Sequence, residues 1–112
     1  MIREELNRFI NQVFTKIDNR FINLILDLLE LHEKKTKDYG SIANPEANIY
    51  ASSEFGIPPE VGIMLRMNDK FKRLKQFAKE KKLENESVED SLMDLANYAL
   101  LALFVRKLSG GK

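Results

Sequence analysis

The chain reads as an all-α, single-domain helical bundle of about four helices, and three observations carry that reading. Apolar residues recur at helical spacing through residues 2–15, 21–37, 59–81 and 87–107, and no segment makes a credible strand. Residues 38–57 form the one long connection, with Gly40, Asn44-Pro45, Ser52-Ser53 and Gly56. Finally, 112 residues suffice for one core but not two, and a balance of 44% apolar with 31% charged residues is that of a folded globular chain. Residues 1–108 are thus expected to form one helical domain, with 109–112 a disordered tail.

The first helix, over residues 2–15, carries Leu6, Phe9, Ile10, Val13 and Phe14 on one face. Asp18 or Asn19 can cap a second helix running to about Lys37, and one long bent helix is the alternative. Residues 21–31 are apolar nearly all round, with only Asn23, Asp27, Glu30 and Lys34 as a polar stripe. Such a helix is central in a bundle or shared between subunits, which favours a homo-oligomer. Gly40 suits the left-handed cap that ends it, and a short helical turn fits residues 46–51. Pro58-Pro59-Glu60 starts the third helix, whose core face is expected to be Met64, Met67, Phe71, Leu74 and Ala78. In the fourth helix Ser87 is the N-cap, with Asp90 three residues on as in a capping box. Its apolar stripe is Val88, Leu92, Leu95, Ala99 and Leu103. Asp90, Asp94 and Asn97 share the opposite side, which continues as Leu101, Phe104 and Val105, so the acids open onto an inside surface.

Composition narrows the chemistry. Cysteine is absent, which removes disulfides, thiolate catalysis and Cys-ligated zinc, and fits a reducing cytoplasm. One histidine, His32, makes His-ligated zinc and a Ser-His-Asp triad improbable, and it reads as structural. A net charge of +1 gives no signal for nucleic acid, and no apolar run is long enough to span a membrane. Met-Ile-Arg-Glu-Glu is not the start of a secretory signal. Carboxylate, Lys, Arg and Tyr chemistry remains.

Unpaired charge on an inside surface is costly, so Asp90 and Asp94 need a metal or cationic partners. With Glu86 nearby they suit Mg²⁺, which takes a few carboxylates and keeps waters for phosphates. The plainer alternative is an ionic network with Arg66, Lys70 and Arg73, which with Asp69 form a stripe at i, i+3, i+4, i+7 spacing on the third helix. The same Arg66, Lys70 and Arg73 suit phosphate recognition. Glu30 and Glu33 make an E-x-x-E pair; Glu30 defaults to solvent, and Glu33 is the better ligand. Asp38 and Tyr39 border the long connection, and Tyr39 or Tyr98 can stack on a base or simply be buried.

Three blocks carry a resemblance. His32-Glu33 through Asp38-Tyr39-Gly40, Arg66-Met-Asn-Asp69-Lys70-Phe-Lys-Arg73, and Glu86-Ser-Val-Glu-Asp90-Ser-Leu-Met-Asp94-Leu-Ala-Asn97-Tyr98 are similar to a small phage-associated helical family, the nucleotide-modification-associated domain. The resemblance covers roughly residues 30–105 and implies a phage or prophage protein of nucleotide metabolism, cytoplasmic in a bacterial host. More distantly the chain resembles the MazG-type all-α nucleotide pyrophosphohydrolases, oligomers that hold Mg²⁺ on E-x-x-E and E-x-x-D. Carried over, Glu30 and Glu33 match the first motif and Asp94 the last acid of the second. Ser91 stands where the second motif has Glu, so Asp90 substitutes from one position back, and the gap between the motifs is longer. The implied enzyme is a nucleoside triphosphate pyrophosphohydrolase with Glu33, Asp90 and Asp94 catalytic, and Glu30, Glu33, Glu86, Asp90 and Asp94 around Mg²⁺ or Mn²⁺. Arg66, Lys70, Arg73, Asn97, Tyr98, Asp38 and Tyr39 would contact the nucleotide. A non-catalytic nucleotide-binding protein and a helical assembly module are the alternatives.

Overall fold

A computed structural model describes residues 2–38, 53–81 and 87–110. The order is α1 (Arg3–Val13), α2 (Asn19–Asp38), α3 (Pro59–Glu80) and α4 (Val88–Leu108), with no strand among the described residues. This is the expected all-α class, and the first two helical segments are separate helices. The Gly40 cap and the turn expected over residues 46–51 lie outside the described residues. No described helix is long and apolar enough to cross a membrane.

The helices gather into two compact units, Met1–Lys34 and Lys35–Lys112, with α2 running from the first into the second. In the first, α1 and α2 run antiparallel along a polar seam. Asn7 Nδ2 donates to Asn23 Oδ1 at 2.7 Å, and Asn11 Nδ2 to Asn19 Oδ1 at 2.6 Å. Arg3 reaches Asp27 at 2.6 Å and Glu30 at 2.9 Å. Its hydrogen bonds to Asp27, then to Glu30, hold the guanidinium above its ordinary pKa. Asp18 caps α2: its carbonyl accepts from Ile22 N at 3.2 Å and its carboxylate from Arg20 N at 2.8 Å. The Arg20 side chain adds bonds of 3.0 and 2.8 Å, so the Asp18 carboxyl is held below the usual carboxylate range.

The second unit is built on α3 packed antiparallel against α4, with Ile63, Leu101, Ala102 and Val105 buried together and Tyr98 against them. Pro59 opens α3 in the first turn, as its fixed φ favours. Lys81 ends that helix in the left-handed conformation, φ 62°, its N–H bonded to the Phe77 carbonyl at 2.7 Å. Ser87 caps α4, its Oγ accepting from Asp90 N at 3.0 Å.

Two expected apolar stripes are buried only in part, Met67 and Leu74 on α3 and Val88 and Leu95 on α4 being half-buried. On α4, Leu92 is 51% exposed and Leu103 49%, and Ala99 is exposed too; Ser91, Asp94, Asn97, Leu101, Ala102 and Val105 are buried instead. On α3, Met64, Phe71 and Ala78 are exposed, while Ile63 is buried and Met67, Lys70, Leu74 and Phe77 are half-buried. The reason is that both helices are apolar around much of their circumference. Periodicity then marks two faces and does not say which one its neighbour takes.

Candidate functional site

The buried side of α4 opens with three small polar residues before it turns apolar. Ser91, Asp94 and Asn97 follow one another at three-residue steps, which keeps them on neighbouring positions of one helix face. They are 0%, 7% and 2% exposed, and none of the three lacks a partner. Leu101 and Val105 continue the same side into the apolar core. Local helix chemistry contributes as well. The Ser87 cap fixes where α4 begins, and therefore the angular position at which Asp94 emerges two turns later.

Asp94 holds a lysine on each carboxylate oxygen. Lys70, from the half-buried side of α3, places Nζ 2.8 Å from Oδ2. Lys35, from the last turns of α2, places Nζ 3.4 Å from Oδ1. Three helices of the second unit thus meet at one carboxylate. The lysine side chains keep 16% and 29% of their surface, against 9% for the aspartate. A carboxylate this buried is costly unless it is paired, and the two ammonium groups provide that pairing. In return the carboxylate fixes two flexible four-carbon side chains with their charged heads in one place. The α1–α2 seam, by contrast, is closed on itself through Arg3, Asp27 and the asparagines.

The residues singled out from the sequence fall in several places. Lys70, Asp94 and Asn97 lie on the facing sides of α3 and α4; of the three residues expected on an inside surface, Asp94 and Asn97 are buried and Asp90, in the first turn of α4, is not. Asp90 is exposed, its backbone N–H on the Ser87 cap. Arg66 and Arg73 are exposed on α3, one turn to either side of Lys70. Tyr98 packs against the apolar core cluster. Glu30 is paired with Arg3 in the first unit, and Glu33 is exposed on α2. Tyr39, Glu86 and the side chain of Asp38 lie outside the described residues. Among the described residues, no three Asp, Glu or His side chains gather closely enough to hold a metal.

Two members of the cluster escaped the sequence reading. Lys35 sits in the run Glu33-Lys34-Lys35-Thr36-Lys37, where nothing distinguishes one lysine from the next. Ser91 looked like a departure from an acidic motif. The signal that could have found it is the three-step series Ser91, Asp94, Asn97 leading into Leu101.

The sequence pattern of the family described as nucleotide modification associated domain 1 matches residues 35–105. That is well over half of the chain. The chain belongs to this family. No curated protein and no solved structure matches it. The nucleotide modification associated domain begins at the residue where the second compact unit begins, and it contains Lys35, Lys70 and Asp94. The α1–α2 seam lies outside it.

Proposed function

We propose that the nucleotide modification associated domain of this chain binds a nucleotide through its phosphates, with Lys35 and Lys70 as the phosphate-facing cations and Asp94 as the carboxylate that positions them. The observation that supports this is the pairing of one buried carboxylate with a partly accessible lysine on each oxygen. Ammonium groups are effective phosphate ligands as point charges. Arg66 and Arg73, one turn away on α3, extend the cationic surface on which a longer phosphate chain would lie. Asn97 and Ser91, both buried, support the cluster from within rather than reach for the sugar or base.

Mg²⁺ fits the described donor set poorly. An incoming dication at Asp94 meets two ammonium groups already seated on its oxygens, and Asp90, one turn back, is exposed. Metal-dependent nucleoside triphosphate pyrophosphohydrolysis, with Asp90 and Asp94 of α4 as its acids, is the second reading. What favours it is the one-turn spacing of Asp90 and Asp94 on α4.

One experiment tests both. Nucleoside mono-, di- and triphosphates are titrated against the protein by calorimetry, in excess chelator and again with Mg²⁺, and the recovered nucleotide is identified by mass. The expected result is binding in chelator, tighter with more phosphates and weaker with salt, with the nucleotide recovered intact. Lys70→Met should weaken it at least about tenfold, the scale of one charge-assisted contact. Monophosphate plus pyrophosphate formed only with metal would replace this reading with the second. No binding under either condition would overturn both.

A further inference from the structure

Charge is unevenly placed along the chain, and the excess has a direction. Between Arg66 and Lys81 stand seven basic and two acidic residues, so the remainder carries four more acids than bases behind a net charge of only +1. Whole-chain balance therefore hides a local cationic field. That segment lies on α3 and its C-cap. Lys70 is turned inward, 2.8 Å from Asp94. At about 100° per residue, Lys72, Lys75 and Lys79 fall roughly 140–200° round the helix from Lys70, on its outward side. All three are exposed, and none makes an ion pair among the described residues. Of the two acids in the segment, Glu80 accepts from Gln76 at 3.3 Å.

An aromatic ring borders this lysine stripe. Phe71 precedes Lys75 by one turn and is 47% exposed. Lysines attract any polyanion, whereas a ring half in water beside them suits a polyanion that has flat faces to offer. Single-stranded nucleic acid is such a ligand: its backbone carries the phosphates, and its unpaired bases stack on aromatic side chains. A duplex keeps its base faces stacked inside, and an acidic peptide or an anionic lipid has no bases.

We infer that the outward face of α3 is a docking surface for single-stranded nucleic acid, with Lys72, Lys75 and Lys79 on the phosphates and Phe71 stacked on a base. This surface lies on the side of α3 opposite Lys70 and does not rest on the nucleotide reading.

Fluorescence anisotropy of a labelled oligothymidylate titrated with the full chain tests this. Three phosphate contacts at about −0.7 each give a log–log salt slope near −2, so affinity should fall roughly twentyfold between about 50 and 200 mM salt. Lys72→Gln/Lys75→Gln/Lys79→Gln should weaken binding at least about tenfold at the lower salt and flatten the slope. Arg8→Gln/Lys16→Gln/Lys34→Gln removes the same charge from exposed positions of the first unit and should leave the affinity within about threefold. Phe71→Ala should cost at least about fivefold with the slope unchanged, the scale of one lost stack. Far-UV circular dichroism checks each fold. Should Phe71→Ala lose helix, Phe71→Leu, which keeps apolar bulk without the ring face, replaces it. No anisotropy change at the lower salt overturns the inference. So does a first-unit variant as weak as the α3 variant, which would make net charge and not this face the cause. Nucleic acid is also rejected as the occupant if polyglutamate or phosphatidylserine vesicles compete as well as unlabelled oligothymidylate at equal charge. A duplex bound as tightly as the single strand, with Phe71→Ala neutral, would remove the stacking role and with it the single-strand assignment.

Discussion

Replacing Asp94 by Asn tests whether this carboxylate is a structural clasp for the two lysines. The change keeps the side-chain shape and one acceptor but removes the charge. At 2.8 and 3.4 Å each ammonium contact is worth about 5–6 kcal/mol of Coulomb energy at an effective dielectric near 20, before desolvation is counted. Desolvating the three groups offsets most of that, and breaking a buried pair by removing one partner typically costs about 3–5 kcal/mol. Lys35 keeps 29% of its surface and recovers some hydration, which lowers the expected loss to about 2–4 kcal/mol. With a urea slope of about 1–2 kcal/mol/M, the midpoint should fall by roughly 1–4 M at fixed protein concentration. Lys35→Met should cost less, about 1 kcal/mol, because its contact is longer and wetter. A double-mutant cycle between Asp94→Asn and Lys70→Met should return a coupling of about 1.5 kcal/mol or more. The assay is urea unfolding followed by far-UV circular dichroism. An Asp94→Asn midpoint unchanged, or raised, would refute the reasoning. It would mean that the carboxylate is held against its own stability, as an acid kept for chemistry would be.

Two further outcomes concern the helix starts that place these residues. Ser87→Ala removes the side-chain bond from Asp90 N in the first turn of α4 and should cost about 1 kcal/mol. For a chain of this size that is a melting temperature lower by roughly 4–6 °C, whereas Ser87→Asp should restore it. Asp18 should titrate below an ordinary carboxyl in a carbon-detected NMR titration, because the Arg20 side chain and backbone N–H both bond its charged form. Its folded pKa is depressed, so the stabilisation is present above the unfolded value and is lost as pH falls through the folded one. Arg20→Ala should raise the midpoint; a midpoint that does not move would contradict the described pairing.

Sequence alone determined the helical class, three of the four helix starts and the burial of Asp94 and Asn97, but placed Asp90 inside with them, where it is exposed. These are local or periodic properties. Ser87, Pro59 and Asp18 cap or open helices through bonds within a few residues. The polar series on α4 must be inside because the rest of its side is apolar. Tertiary structure decided the remainder. It selected Lys35 from a run of equivalent lysines by bringing its ammonium to Asp94 across the helix packing. It separated Lys70 from Arg66 and Arg73, neighbours in sequence that lie on the exposed part of α3. It turned Leu92 and Leu103 outward, since the packing of α3 on α4 takes one apolar side of α4 and leaves the other. It also joined α1 to α2 through asparagines, burying Ile22 and Leu26 while Phe21, Leu24 and Leu29 stay exposed. A helix that is apolar on several sides offers several neighbours nearly equal burial. Which side wins depends on where charged and amide groups find partners, and that is a property of the assembled helices.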